Sequence, residues 1–422
     1  MIPPEEQIPP RWVVVPYYLV AAIAFAGVMV LCVVGTPAFT GHFFQPKILA
    51  VTHLAVLGWA TMLILGAGNQ LVPVISERRL FSYRLPLAVL VLMAAGTVML
   101  VHMFWRFAIG WEGFAGGICI VAALALHAFN LVRTLRGGKE SPASDFIQAA
   151  HAWLVTTVLL GLLMLVNLRY PFLPVQHLHY LKTHASIGMA GWFLQLVVGV
   201  SSRLIPMFLL SREERVKWLG YAYYLINGAM VILLVAGLVF RTLAVAPVSL
   251  VLLLAGLACY GWFVQGCRSS AMRRRPDAGM KQTFLALLLL LLPLALLSIV
   301  LAGDTALPAR WVVAYGCAFF GGFIHVIIMG QTFKTLPFVV WMHLNRPDAL
   351  PGFMPADLYS ENRVKAQMYL YLPGYLLFIT GILLQAVPLL YTGAALMAAA
   401  ALLYGVHVLQ IASKLVRYEH RH

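Results

Sequence analysis

Residues 58–73 read GWATMLILGAGNQLVP, and the same sixteen-residue frame returns as GWFLQLVVGVSSRLIP at 191–206 and GFIHVIIMGQTFKTLP at 322–337. The spacing is identical in all three. Gly58, Gly66 and Pro73 are matched by Gly191, Gly199 and Pro206 and by Gly322, Gly330 and Pro337, while Trp59, Trp192 or Phe323 follows the first glycine. Successive first glycines lie 133 and 131 residues apart, so a unit of about a third of the chain is repeated, with boundaries near 12–133, 146–266 and 281–414. Each copy sits in a long apolar stretch. The glycines allow helices to approach closely, and the proline interrupts the backbone hydrogen bonding of its helix.

Composition places those stretches in a lipid bilayer. With 62% hydrophobic and 10% charged residues, the 422-residue chain has too few polar side chains to cover an ordinary soluble domain. Apolar runs at 12–35, 47–75, 85–108, 111–133, 146–168, 178–209, 217–240, 246–266, 281–302, 309–342, 366–386 and 390–414 are each long enough to cross the hydrocarbon core. The fold expected is all-α, a single polytopic membrane domain of twelve helices in three pseudo-symmetric four-helix arcs. An even number of spans per repeat keeps the copies parallel, so the symmetry axis should run along the membrane normal, unlike that of inverted-repeat transporters.

The net charge of +15 could suggest nucleic acid, but the basic residues are dispersed over short loops. Their asymmetry is that of membrane orientation. With both termini cytoplasmic, 21 of the 29 Lys and Arg residues fall on the inner side, among them Arg78, Arg79, Arg136, Arg212, Arg273, Arg274, Arg346 and Arg421. Only Lys47, Arg106, Arg169, Lys182, Arg241 and Arg310 fall outside, and Arg203 and Lys334 lie within spans, at the place Gln70 occupies in the first copy. A bacterial plasma membrane is the expected location. The acidic, proline-rich start MIPPEEQIPPR has no signal-peptide character, so the first span is expected to be retained. Five cysteines without a C-x-x-C pair give no thiolate metal site, and no nucleotide-binding fingerprint is present.

Histidines carry the functional signal. His53, His184 and His325 stand in or beside the three signature copies, and His42, His102, His177 and His179 map to the outer half of the bundle. Neutral imidazole is the common protein ligand of heme iron, copper and zinc, and a buried polar ring in lipid calls for a partner. Set against this, an interfacial or hydrogen-bonded histidine is the plainer account of His42, His102 and His177. His127 and His407, at related places in the first and third repeats, read as packing residues, and His151, His343, His420 and His422 as inner-surface residues. Buried carboxylates are scarce, since Glu112 and Asp304 stand at outer helix ends and Asp145 at an inner one.

Twelve helices, three parallel arcs and histidines on the second, sixth and tenth spans resemble subunit I of the heme-copper oxidase superfamily, including cbb3-type oxidases and nitric oxide reductases. The stretches GHFFQPKILAVTHLAVLGWATMLILGAGNQLVPVISERRLFSYRL and HYLKTHASIGMAGWFLQLVVGVSSRLIPMF carry the likeness. It implies a b-type heme with His53, His325 and His102 as candidate ligands, and a copper site drawing on His184, His179 and His177. It also implies a redox partner such as a cytochrome c or another membrane subunit. The sequence departs from the pattern in three places, one of them the sixth span, which has no His-Pro-Glu run and carries Ser186 where a second histidine would fall. Helix 10 has one histidine where the family has a pair, and the seventh span has none, so the copper set is incomplete. Counted from the first glycine, His325 lies about 12 Å deeper than His53. Either the tenth helix is displaced, or His53 pairs with an outer histidine such as His102, or no heme is held in this way. Two functions are therefore expected: a heme-binding redox protein that exchanges electrons or binds nitric oxide or oxygen, and a non-redox metal-handling, transport or sensing protein on the same scaffold.

Overall fold

The computed structural model describes residues 8–212, 215–273, 275–303, 307–344 and 354–419. Twelve helices among them are long and apolar enough to span a bilayer, and no strand occurs among the described residues. The protein is an all-α polytopic membrane protein. The helices are α1 (Arg11–Val34), α2 (Pro46–Ser76), α3 (Arg84–Arg106), α4 (Trp111–Leu135), α5 (Pro142–Arg169), α6 (His177–Leu209), α7 (Lys217–Leu238), α8 (Ala246–Ser269), α9 (Ala278–Ala302), α10 (Arg310–Leu344), α11 (Glu361–Leu384) and α12 (Val387–Glu419). Their lipid-facing sides carry large apolar residues in the open, such as Ile23, Val30, Val91 and Val98. His420, His422, Asp304, Arg274, Arg346 and Arg421 lie outside the described residues.

Several helices begin earlier than hydropathy alone predicts, because polar caps extend them past the apolar run. On α5, Ser141 accepts a hydrogen bond from the Ser144 amide in a reciprocal capping box, followed by a proline at the first turn. Asp277 caps α9 by accepting from Met280, and Ser360 caps α11 by accepting from Arg363. The Asp277 carboxylate also pairs with Lys334 of α10 in a largely buried ion pair. Lys334, one of the two in-span cations, is thus tied to a helix cap.

The chain forms two compact units. One comprises Val72–Leu85 and Ile109–Pro276 and therefore holds α4 to α8; the other comprises Pro4–Leu71, Pro86–Ala108 and Asp277–His422 and holds α1, most of α2 and α3, and α9 to α12. In the first unit, the turn after α4 uses Gly137 in the left-handed region, φ +71°. The Lys139 amide there donates to Ser76, and its ammonium lies 2.9 Å from Glu77. That contact holds the exposed Glu77 carboxyl below its ordinary value, chiefly through the hydrogen bond and then through the charge of Lys139.

The three signature helices share a local backbone feature. Each departs from α geometry into a π-helical stretch: Leu54–Thr61 in α2, Ile187–Leu194 in α6 and Ala318–Ile324 in α10. Every one begins four residues before the first glycine. The second glycine has a common task as well, receiving a side chain of the helix that opens its own repeat. A Cβ at Gly66 would overlap Tyr17 of α1, one at Gly199 would come within 2.5 Å of Phe146 of α5, and one at Gly330 within 2.8 Å of Gln282 of α9. Tyr17 is buried by that approach, and its hydroxyl donates to the Pro86 carbonyl at 2.5 Å.

Candidate functional site: a histidine held in an aromatic shell

His325 follows directly on the π stretch of α10 and is 4% exposed. Its Nδ1 lies 3.0 Å from the Tyr371 hydroxyl of α11, and that hydroxyl donates to the Gly321 carbonyl at 2.9 Å. Tyr371 has a single proton. With the proton committed to Gly321, the oxygen can only accept from His325, so Nδ1 carries the ring hydrogen and Nε2 presents a bare lone pair. Nε2 is buried and has no hydrogen-bond partner. An unsatisfied acceptor at this depth costs roughly 1–3 kcal/mol, and native proteins seldom leave one without a role.

Aromatic rings enclose this imidazole. Phe25 of α1 stands edge-on at 5.3 Å between ring centres and Trp59 of α2 at 6.3 Å, and Phe25 stacks on Trp59 at 4.3 Å. Tyr404 of α12 closes against both at 5.7 and 5.2 Å, and its hydroxyl pairs with Thr332 at 2.9 Å. One further hydroxyl, that of Tyr375, is buried without a partner and lies against Gly322. The shell therefore offers flat apolar faces and three unsatisfied polar atoms, the Trp59 indole nitrogen among them, with no carboxylate among the groups named.

The other expected ligands fall elsewhere. His53 is half-buried, its Nδ1 donates to the Leu49 carbonyl at 2.7 Å, and its ring lies 4.6 Å from Phe104 of α3. Trp59, the α2 residue that meets His325, is six residues further on, across the π stretch. No hydrogen bond or ring contact joins His53 to His325. His102 is exposed, two residues from Phe104 and so about 200° around α3 from the side that meets His53. The pairing of His53 with His102 is not assembled either.

In the unit of α4 to α8, the three histidines expected at copper each take a separate partner. His184 Nδ1 donates to the Thr157 carbonyl of α5 at 3.0 Å, and the ring lies beneath Gly161. His179 Nε2 donates to the Gly237 carbonyl of α7 at 2.8 Å. His177 Nδ1 is 3.4 Å from the amide nitrogen of Asn167. No three His, Cys, Asp or Glu side chains among the described residues are grouped so as to hold a metal ion. His151 differs from its reading as an inner-surface residue: it is 6% exposed, because α5 starts at Pro142 and carries it more than two turns into the helix.

The donor set would supply one protein ligand to a heme iron. A neutral imidazole with Nδ1–H anchored and Nε2 bare is the form such an iron takes, and the anchoring partner is the usual second layer of a metal-bound histidine. A bis-histidine site from the predicted ligands is not assembled. Copper or zinc needs three or four protein donors in most sites, whereas heme iron draws four of its donors from the porphyrin and one or two from protein. Single, separated histidines therefore suit heme better than the incomplete copper set. Neither a scan against protein-family models nor a search of curated proteins finds a match for this chain.

Proposed function

We propose that this is a heme-binding membrane redox protein on a scaffold like subunit I of the heme-copper oxidases, in which His325 would hold the iron. The buried, unpartnered Nε2 of His325, fixed in the ligating tautomer by Tyr371, carries this reading. A b-type heme held there would supply one-electron redox chemistry and the binding of a diatomic gas such as nitric oxide or oxygen. The chain's own residues keep the imidazole neutral, orient it through Tyr371 and Gly321, and exclude water with Phe25, Trp59 and Tyr404. The excess of basic residues on one side supports cytoplasmic termini, as in a bacterial plasma membrane. An electron donor such as a cytochrome c or a second membrane subunit belongs to this proposal.

Absorption spectra of the purified protein in oxidised and dithionite-reduced forms test it. Sharp b-type bands are expected in the wild type, lost in His325→Ala and kept in His53→Ala and His102→Ala. A colourless, correctly folded preparation from heme-replete cells would exclude the reading. Bands that survive His325→Ala would move the ligand elsewhere.

A further inference from the structure

In the unit of α4 to α8, the connections from α6 to α7 and from α8 to α9 lie side by side. The Met272 and Arg273 amides donate to the Leu210 and Leu209 carbonyls at 3.4 and 3.1 Å, and the Ser270 hydroxyl donates to the Arg212 carbonyl at 3.3 Å. Residues 210–217 and 268–276 hold seven Lys and Arg against two Glu, so a third of the chain's net charge of +15 falls within seventeen residues. Arg212, Lys217 and Arg275 are exposed. Loop charge alone orients a membrane protein and needs no defined geometry for it. Here Arg215 is built into the paired loops. Its backbone takes φ +65°, in the left-handed region that a residue with a Cβ seldom adopts outside functional or strained sites. The guanidinium lies over the Trp262 ring of α8 at 4.1 Å, and Nη1 donates to the Trp262 carbonyl at 3.2 Å. Gly266, one turn further along α8, makes room for the stem, since a Cβ there would stand 3.0 Å from Arg215 Cδ.

We propose that these paired loops bind the headgroup of an anionic phospholipid, with its phosphate on Arg215. One N–H of that guanidinium is committed to the Trp262 carbonyl, and the rest of the planar fork is left for an oxyanion, which it can meet with two parallel hydrogen bonds. Arg212, Lys217 and Arg275 add attraction from the loops on either side, as basic clusters next to a membrane span do for anionic lipid. The apolar neighbours select a lipid over a soluble anion. Trp262 and Tyr221 are 50% and 53% exposed, and Met272, set among the charged residues of its loop, is 81% exposed. Tryptophan and tyrosine settle at the level of lipid headgroups, where the ring is half in hydrocarbon. A free phosphate ion gains nothing from such surroundings. The platform is separate from the shell around His325, which belongs to the other compact unit.

The test is native mass spectrometry of the full-length protein, delipidated in uncharged detergent and titrated with phosphatidylglycerol or phosphatidylcholine. The wild type is expected to retain phosphatidylglycerol about tenfold more tightly than phosphatidylcholine, and an equal concentration of inorganic phosphate should not displace it. Arg212→Gln/Arg215→Gln/Lys217→Gln/Arg275→Gln should lose the preference. Arg78→Gln/Arg84→Gln/Arg133→Gln/Arg136→Gln, which removes the same charge from other loops, should keep it. Arg215→Lys holds the charge but loses the fork and its stacking on Trp262, and should weaken the preference several-fold. Each variant is checked for folding by size exclusion. Equal retention of the two lipids by the wild type overturns the proposal without recourse to any variant. So does displacement by inorganic phosphate, equal loss in the two quadruple variants, or full retention in Arg215→Lys.

Discussion

Two tyrosines on one helix, a single turn apart, should respond in opposite directions to the same chemical change. Tyr371 and Tyr375 are both buried in α11, but the first hydroxyl accepts from His325 and donates to Gly321, while the second has no partner. Tyr371→Phe removes one oxygen and strands two groups, the Nδ1–H of His325 and the Gly321 carbonyl. At about 1–2 kcal/mol for each stranded group, the loss is about 2–4 kcal/mol. Tyr375→Phe deletes a hydroxyl whose burial is already uncompensated, and should leave stability unchanged or raise it by about 1 kcal/mol. The two variants should therefore differ by roughly 3 kcal/mol, a large fraction of the stability of an ordinary domain. Equilibrium unfolding of ligand-free protein in mixed micelles, followed by tryptophan fluorescence with size exclusion as a control, measures this difference. A gap below about 0.5 kcal/mol, or a reversed order, would refute both the tautomer assigned to His325 and the idea that its Nε2 is the group left waiting for a ligand.

Steric and electrostatic details give two more expectations. Gly66→Ala and Gly199→Ala each drive a methyl into a side chain on the neighbouring helix, Tyr17 and Phe146 respectively, and should each destabilise by about 1–3 kcal/mol in the same unfolding assay. Gly68→Ala, at a position open to at least 4 Å, should be tolerated. Because Lys139 depresses the Glu77 carboxyl, the contact contributes stability above the ordinary glutamate value of 4.5 and loses it as pH falls through the lowered value. A wild type and Glu77→Gln comparison should show a small difference at neutral pH that disappears in acid and shrinks with added salt, since the pair is exposed.

Much of the fold is legible in the chain because lipid leaves few alternatives. Twelve apolar runs must become twelve helices, and the Gly-Gly-Pro frame falls on α2, α6 and α10, the most deeply buried of the spans. What hydropathy misses are the polar ends: Ser141, Asp277 and Ser360 extend α5, α9 and α11 by several residues each. The site was legible in one part only. His325 stands out as the histidine inside the third signature, but Tyr371 is 46 residues away and reads as one more core aromatic. Only packing of α10 on α11 turns it into the group that sets the tautomer. A buried tyrosine hydroxyl in an apolar span was the signal available, since such a group needs a partner. Phe25 and Tyr404 carried no signal beyond their size. His151 was misplaced by a boundary. With α5 begun at residue 146 it sits near the end of the helix, and with the capping box at Ser141 counted it lies in the interior opposite His127. His53 and His102 are expected as heme ligands and His177, His179 and His184 as copper ligands, but which face of the helix each occupies depends on geometry that residue spacing does not encode.

The three π stretches explain part of that gap. Hydrogen bonding to the fifth residue winds extra chain into a turn, so the two halves of α2, α6 and α10 follow different angular frames. His53 and His184 belong to the frame before the widened turn and His325 to the frame after it. Deleting one residue inside such a stretch would therefore act less like a shortening than like turning a key: everything beyond it would swing to a new heading, and a side chain now facing Tyr371 would face something else. Loops can absorb changes in length, whereas these three places hold the aim of the helix.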